Sequence, residues 1–272
     1  MNEIGLIIEL KENENNFAPL KQFRLSVCQL VNWDDSLWRA DVAARVKQGI
    51  RKNGVRVSAL WAGVPGPREW NFRKGPVTLG LVPPEYRRDR VISLKKAADF
   101  AEAIGVAAIV THVGFIPENM TDPEFPRVVE AVREVAVYCE KKNLEFWFET
   151  GQETPVTLLR AILSVGTPNL GINLDPANLI IYGKGNPVDS LEIFGKYIRN
   201  VHAKDGFYPT DPFELGREVK VGQGKVNFPE LVRQLKEIGF LGEFIIEREI
   251  SGEQQRKDIR ETILYLRKLL ED

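Results

Sequence analysis

The stretch LEFWFETGQETPVTLLRAILSVGTPNLGINLDP, residues 144–176, decides the fold prediction because it contains two β-rich runs joined by a helix-like segment. The runs, Leu144–Glu149 and Leu170–Asp175, each end in an acidic residue. These two acidic residues are 26 positions apart, which is about the length of one strand–loop–helix–loop unit. The stretch therefore predicts one repeat of a parallel α/β fold.

The same alternation continues outward in both directions along the chain. Eight β-rich runs alternate with helix-like segments, and this pattern in 272 residues predicts a single-domain (β/α)8 TIM barrel covering residues 1–272. An open, doubly wound sheet is the alternative, and the lack of a GxGxxG motif after the first strand disfavours it. The predicted strands are Ile4–Leu10, Arg24–Leu30, Val55–Trp61, Val106–Val113, Leu144–Glu149, Leu170–Asp175, Ile198–His202 and Phe244–Glu247, and the clearest helices are Val91–Ile104, Pro126–Lys142 and Phe228–Ile238.

Three of the predicted connections differ from the rest in length. Lys11–Gln22 is short and polar, which predicts a stunted first helix. Ala62–Pro84 and Lys204–Val226 are long, and loops that follow barrel strands lie on the face where active sites form. In the second of these loops, the Gly-Gln-Gly sequence at 222–224 is expected to form a turn, with an anion site as the weaker alternative.

Charge and composition exclude several classes of protein. Lys and Arg total 37 and Asp and Glu total 38, so the net charge of −1 argues against binding nucleic acid through a broad basic surface. The N-terminal apolar run is too short to span a membrane, and no basic region or cleavage site marks a signal peptide. Cys28 and Cys139 fit free thiols in a reducing compartment. We expect a cytoplasmic protein without nucleic-acid or membrane partners, and homo-oligomer formation stays open.

Residues with metal-binding side chains stand at the ends of the last four predicted strands. We call them the four strand-end residues: Glu149, Asp175, His202 and Glu247. Alternate residues of a strand face opposite sides, so the apolar neighbours of each candidate pack against the helices while the candidate faces the barrel interior. We therefore expect all four at one height, at the C-terminal mouth of the barrel.

Three carboxylates and one imidazole form a mostly hard set of ligands, which suits Mn²⁺, Mg²⁺ or Co²⁺ better than a structural Zn²⁺ site. Burying three carboxylates without a cation would be costly in desolvation and mutual repulsion. The set therefore predicts one divalent metal ion. For each residue taken singly, a surface or supporting charge is the alternative.

Other candidates for substrate binding lie near the same mouth. His112 ends the fourth predicted strand, and Lys204 follows the seventh. A core histidine and a solvated lysine are the respective alternatives. Trp61 ends the third strand and is a candidate for stacking on a sugar face, although aromatic residues more often belong to the core.

Four further residues receive weaker predictions. Gln152 is a plausible contact at the rim of the site. Trp33 and Trp38 are expected to be packing residues. Arg248 follows Glu247 and is therefore expected to point away from the barrel interior.

Six motifs carry a resemblance to a known family: THVGF (111–115), FETGQETP (148–155), NLDPANL (173–179), VHAKDG (201–206), GQGKVNFPEL (222–231) and IEREISGEQQ (246–255). Through them the whole chain resembles the xylose isomerase-like TIM barrels, also called the sugar phosphate isomerase/epimerase superfamily. That superfamily includes ketose 3-epimerases, hydroxypyruvate isomerase, inosose dehydratase and endonuclease IV. The nuclease is excluded because its histidine-rich trinuclear site needs more than the two histidines of this chain.

The resemblance implies that the four strand-end residues bind one divalent ion, most commonly Mn²⁺, with Mg²⁺, Co²⁺ or Zn²⁺ as alternatives. It also implies that Glu149 and Glu247 act as the catalytic acid and base. This chain departs from the epimerases at two positions, with Asn178 where they often have histidine and Tyr208 where they often have arginine. Both positions handle substrate in the family, so Asn178 is a substrate-binding candidate and the sugar specificity does not transfer.

The four strand-end residues and the family resemblance together predict a metal-dependent sugar isomerase or epimerase. One glutamate would remove the proton next to the carbonyl of a ketose or related keto-sugar, and the resulting enediolate would be stabilised by the metal. A lyase, dehydratase or hydratase acting on keto-sugars or keto-inositols shares that first step and is the enzymatic alternative. A non-catalytic sugar-binding barrel is the alternative from another class.

Overall fold

A closed barrel of eight parallel strands forms the centre of the protein in a computed structural model that describes residues 2–12 and 16–271. Neighbouring strands follow the order β1-β10-β7-β6-β5-β4-β3-β2, and β8 and β9 pair separately. The predicted (β/α)8 fold is confirmed. The strands are β1 (Ile4–Glu9), β2 (Val27–Asn32), β3 (Arg56–Ala62), β4 (Ala108–Thr111), β5 (Glu145–Glu149), β6 (Leu170–Leu174), β7 (Ile198–Ala203), β8 (Asp205–Phe207), β9 (Arg217–Val219) and β10 (Phe244–Ile246).

Helices surround the barrel, and short 3₁₀ helices cover 35–37 and 195–197. The first helix is only six residues long, as its short polar connection predicts. None of the helices within the described ranges is both long and apolar enough to cross a membrane. The α-helices are α1 (Ala18–Phe23), α2 (Ala40–Asn53), α3 (Gly75–Thr78), α4 (Pro84–Ile104), α5 (Glu124–Glu140), α6 (Pro155–Val165), α7 (Pro176–Ile181), α8 (Ser190–Phe194), α9 (Phe228–Glu237) and α10 (Gly252–Glu271).

Element boundaries differ from the prediction where local backbone geometry decides them. Strand β2 begins at Val27 rather than Arg24, because Arg24 adopts the left-handed conformation (φ 54°) that ends α1. Helix α4 begins at Pro84, seven residues before the predicted start, since proline fits the first turn of a helix.

Two apolar layers hold the barrel together. A large core lies between strands and helices and includes Phe146 and Phe148, while Trp147 belongs to a small cluster inside the barrel. This alternation along β5 is the pattern that a period of two predicts. The interior cluster consists of Ala59, Trp61, Ala108, Val110 and Trp147.

The long loop after β7 contains an antiparallel hairpin of β8 and β9 that the sequence analysis did not predict. The buried carboxylate of Asp205 accepts hydrogen bonds from the backbone N–H groups of Gly222, Gly224 and Val226. A Cβ atom at Gly224 would lie 2.1 Å from this carboxylate, so the close approach needs glycine. The Gly-Gln-Gly sequence thus forms a turn closed by Asp205, and the carboxylate uses the N–H groups that an anion would need.

Candidate metal and substrate site

The four strand-end residues come together at the C-terminal mouth of the barrel. Glu149 ends β5, Asp175 follows β6, His202 lies near the end of β7 and Glu247 follows β10, and these strands are consecutive neighbours in the barrel. One ligand atom from each residue lies within 4.8 Å of the others. Parallel strands therefore bring together residues that are up to 98 positions apart in the sequence.

His202 directs one ring nitrogen at the carboxylates. Its Nδ1 atom lies 3.0 Å from Glu149 Oε1, 3.1 Å from Glu247 Oε2 and 3.8 Å from Asp175 Oδ2. Burial alone would lower the pKa of His202, but the surrounding carboxylates outweigh it and hold the pKa well above its usual value. The opposite nitrogen, Nε2, lies 2.8 Å from Gln29 Oε1 inside the barrel.

The four strand-end residues fit a divalent cation. Asp175 uses Oδ1 to cap α7 by accepting the N–H of Asn178, and its other oxygen, Oδ2, accepts no hydrogen bond from the described residues. His202 Nδ1 is also buried and faces carboxylate oxygens of Glu149 and Glu247 at 3.0 and 3.1 Å, without good hydrogen-bond geometry among the described residues. A cation bound to Asp175 Oδ2 and to Nδ1 would pair that acceptor oxygen and offset the mutual repulsion of the carboxylates. Three carboxylate oxygens and one imidazole nitrogen suit the harder divalent ions.

Lys204 places a buried ammonium group beside two of the carboxylates. Its Nζ lies 2.9 Å from Glu249, 3.3 Å from Glu247 and 3.5 Å from Asp175. Burial would lower the pKa of Lys204, but these carboxylates hold it well above its usual value. Burial would raise the pKa of Glu247, but Lys204 and His202 hold it well below the usual range. Glu247 is therefore ionised.

A cavity of about 420 Å³ opens above the four strand-end residues, and three tryptophans line one side of it. The ring of Trp33 lies 4.6 Å from that of Trp61 and 6.0 Å from that of Trp70. Trp61 also donates a hydrogen bond of 2.9 Å from Nε1 to Glu149 Oε2, which orients that carboxylate. Trp33 packs against the interior cluster, as expected, and also lines the cavity, whereas Trp38 packs against Phe100.

Polar side chains line the rest of the cavity, and several of their atoms lack a partner. His112, Asn178 and Gln152 all face it. The His112 Nδ1 atom and both amide atoms of Gln152 are buried without a hydrogen bond to any described residue. Burial lowers the pKa of His112, so its imidazole is neutral. These atoms can hydrogen-bond the hydroxyl groups of a ligand.

Arg248 and Tyr208 bond to residues around the site and not to the four strand-end residues. Arg248 lines the edge of the cavity and pairs with Glu218 at 2.8 Å and Asp258 at 2.9 Å rather than with the four strand-end residues. Tyr208, at the family's arginine position, lies outside the lining of the cavity and donates its hydroxyl to the carbonyl of Gly185.

Sequence reasoning missed Gln29, Trp70 and Tyr182. Gln29 is fully buried and contacts His202, and its signal was an amide in the middle of the apolar strand VCQLV. Trp70 lines the cavity from the loop after β3, and Tyr182 lines it from the end of α7. Of these two aromatic residues, only Trp70 had a signal in the sequence, which was the length of its loop.

Comparison with known proteins identifies the family. The model of the xylose isomerase-like TIM barrel family matches residues 23–269. The crystal structure of a xylose isomerase domain protein from Planctomyces limnophilus is 31% identical, with a TM-score of 0.92 over 98% of this chain and 96% of that one. An uncharacterized protein of Methanocaldococcus jannaschii is 28% identical over 194 residues. That match covers 66% of this chain and 64% of the relative, so this chain spans less than two thirds of the relative's length.

More distant structures share the fold alone. A D-tagatose 3-epimerase-like protein is 20% identical, with a TM-score of 0.74 over 99% of this chain and 97% of that one. A xylose isomerase-like TIM barrel protein from Mycobacterium smegmatis, solved in complex with magnesium, is 16% identical, with a TM-score of 0.70 over 100% and 97% of the two chains. The match to the family model over most of the sequence, together with the 31% identity to the Planctomyces limnophilus protein, carries the assignment. The chain belongs to the xylose isomerase-like TIM barrel family.

Proposed function

We propose that this protein is a divalent-metal-dependent sugar epimerase or isomerase that removes the proton next to the carbonyl of a ketose or related keto-sugar. The main support for this proposal is the layered arrangement of the four strand-end residues. Asp175 and His202 are fully buried beneath the cavity, while Glu149 and Glu247 line it. This arrangement supports a role for Asp175 and His202 in holding an ion from below and for Glu149 and Glu247 in contacting the substrate. The epimerase-like neighbour is consistent with this chemistry.

The four strand-end residues would hold one divalent ion, with Mn²⁺ as the first candidate and Mg²⁺ as the alternative that the magnesium-bound family member supports. When bound, such an ion polarises a carbonyl oxygen and stabilises the negative charge that develops when the neighbouring proton leaves. Zn²⁺ is disfavoured because its sites commonly contain more nitrogen or sulfur ligands.

Glu149 and Glu247 would act as base and acid on opposite sides of the substrate. Lys204 lies 3.3 Å from Glu247 and keeps it ionised, the form that a base needs before it accepts a proton. Glu149 is held by Trp61 and by Asn173, whose Nδ2 lies 2.5 Å from its Oε2. Fixing a carboxylate in this way removes the need to reorient it during proton transfer.

The cavity suits an uncharged carbohydrate. Tryptophan faces pack against the C–H surface of a sugar ring, while the unpaired atoms of His112 and Gln152 can bind hydroxyl groups. Lys204 and Arg248, the cations of the described cavity lining, are both already paired with carboxylates. Free sugars should therefore be better substrates than sugar phosphates.

The test is proton exchange in D₂O. The Mn²⁺-loaded protein is incubated with free ketoses, their phosphates, 3-keto-glycosides and keto-inositols, and each is followed by NMR, with the chelated protein as the control. We expect deuterium to replace the proton next to the carbonyl in at least one free sugar. Inverted configuration identifies an epimerase and transfer of the label to the neighbouring carbon an isomerase. Loss of a substituent identifies a lyase, and tight binding without any exchange identifies a sugar-binding barrel, so either result would overturn the proposal.

A further inference from the structure

A chain of buried amides links Glu149 to the far side of the His202 ring. Asn173 Nδ2 lies 2.5 Å from Glu149 Oε2, and Asn173 Oδ1 accepts a hydrogen bond of 3.2 Å from Gln29 Nε2. Gln29 Oε1 then lies 2.8 Å from His202 Nε2. All of these side chains are buried, with Gln29 and Asn173 fully inaccessible.

The donor and acceptor roles in this series of hydrogen bonds follow from its end at Glu149. Glu149 Oε2 also accepts the indole N–H of Trp61, so this oxygen acts as an acceptor and the amide nitrogen of Asn173 faces it. Asn173 Oδ1 then faces Gln29, which must turn its own nitrogen toward Asn173 and its oxygen toward His202. Asn200 reinforces this orientation, because its Nδ2 donates to the same Asn173 oxygen at 2.5 Å.

We propose that Gln29 is a positioning residue that holds His202 in the form with hydrogen on Nε2 and leaves the Nδ1 lone pair for the metal ion. This inference rests on the metal site of the proposed function. Histidine ligands of metals commonly donate their second ring N–H to an acceptor that fixes the tautomer and the ring orientation. Gln29 Oε1 is such an acceptor, and it comes from β2, three strands away from β7 around the barrel.

A second contact at Nε2 has to be weighed against this assignment. Asn173 Nδ2 also lies 3.0 Å from His202 Nε2, and a hydrogen bond donated from there would require an unprotonated Nε2. Asn173 Nδ2 already donates to Glu149 at the shorter distance of 2.5 Å, whereas Gln29 Oε1 is the closer atom to Nε2. The alternative tautomer would place hydrogen on Nδ1, the atom that faces Glu149 and Glu247 and that would bind the proposed ion.

The experiment compares Gln29→Leu with Gln29→Glu. Leucine removes the acceptor opposite Nε2, and glutamate keeps an acceptor there but loses the donor to Asn173. The first readout is the Kd for Mn²⁺ alone, measured from free Mn²⁺ by electron paramagnetic resonance. The second is the long-range ¹H–¹⁵N spectrum of the Mg²⁺-saturated protein, in which only His112 and His202 contribute imidazole signals.

Gln29→Leu is expected to raise the Kd for Mn²⁺ by roughly 10–100-fold and to lose the pure Nε2–H signature of His202. Both variants are expected to lower the thermal stability. Gln29→Glu is nevertheless expected to keep the Nε2–H signature and to bind Mn²⁺ nearly as tightly as the unmodified protein. A purely structural role of Gln29 would not separate affinity from stability in this way. Thr111→Val is the matched control, since it removes a buried hydrogen bond to the Ala62 carbonyl of the same barrel and should leave the Kd unchanged.

Gln29→Met serves as the milder variant if leucine prevents folding, because its thioether is only a weak acceptor and it too should weaken Mn²⁺ binding. The inference is overturned if the folded leucine or methionine variant binds Mn²⁺ as tightly as the unmodified protein and keeps the same His202 signature. Failure of the unmodified protein to bind Mn²⁺ or Mg²⁺ at all would instead overturn the proposed function.

Discussion

Replacing the buried Glu153 by glutamine should make the protein more resistant to alkaline pH. Glu153 lies in the loop after β5 and is only 2% exposed, and burial raises its pKa from the usual 4.5 to about 8. A carboxyl whose pKa is higher in the folded state favours folding in its protonated form. Its contribution is therefore complete below about pH 4.5 and is lost as the pH rises toward 8.

The size of this effect follows from the same two pKa values. Each pH unit between them is worth about 1.4 kcal/mol, so ionising Glu153 in the folded protein costs about 5 kcal/mol in total. Glutamine resembles the protonated carboxyl in shape and hydrogen bonding but does not ionise. The Glu153→Gln variant should thus match the unmodified protein near pH 5 and exceed its free energy of unfolding by several kcal/mol near pH 9.

Urea unfolding at several pH values measures the difference directly, because the other titrating groups cancel between the two proteins. Glu118→Gln is the matched control, since the same loop region holds this carboxylate through Thr154, Thr157 and Lys184 and its pKa is lowered. This control should lose stability at neutral pH, the opposite sign. Parallel stability curves for the unmodified protein and Glu153→Gln from pH 5 to 9 would refute the reasoning.

Three further predictions concern the site. Glu149→Gln and Glu247→Gln should each lower kcat by roughly 10²–10⁴ when compared at saturating metal, and near-normal turnover in either would remove its acid–base role. Gln152→Met should raise KM by roughly tenfold, the loss of about one hydrogen bond, while kcat changes little. An unchanged KM would show that substrate does not contact this amide. Chelation should lower the Tm by about 5 °C relative to protein with free Mn²⁺ at about 100 times its Kd, as measured by calorimetry, whereas an unchanged Tm would contradict the site.

The barrel and the convergence of its polar residues could be predicted because two periodic patterns act together. Strands alternating with helices specify the barrel, and the period of two within each strand directs Glu149 and Asn173 inward while Phe148 packs outward. A parallel barrel then brings the strand ends together whatever their separation in sequence. The roles of the site residues remain predictions.

Loop conformation and amide networks were beyond prediction from the sequence. The position of Trp33 in the cavity lining was missed because a tryptophan near a strand end carries no sign of which way its loop turns. The hairpin was missed because its strands, Asp205–Phe207 and Arg217–Val219, are only three residues long. Gln29 reads as one polar residue in an apolar strand, and its link to His202 spans 173 positions.

The most direct test of the account is an anomalous difference map from crystals of this protein grown with Mn²⁺. The account predicts one strong peak at the C-terminal mouth of the barrel, bound by carboxylate oxygens of Glu149, Asp175 and Glu247 and by Nδ1 of His202. The absence of a peak there at saturating Mn²⁺, or a peak bound through Nε2 of His202, would contradict the account.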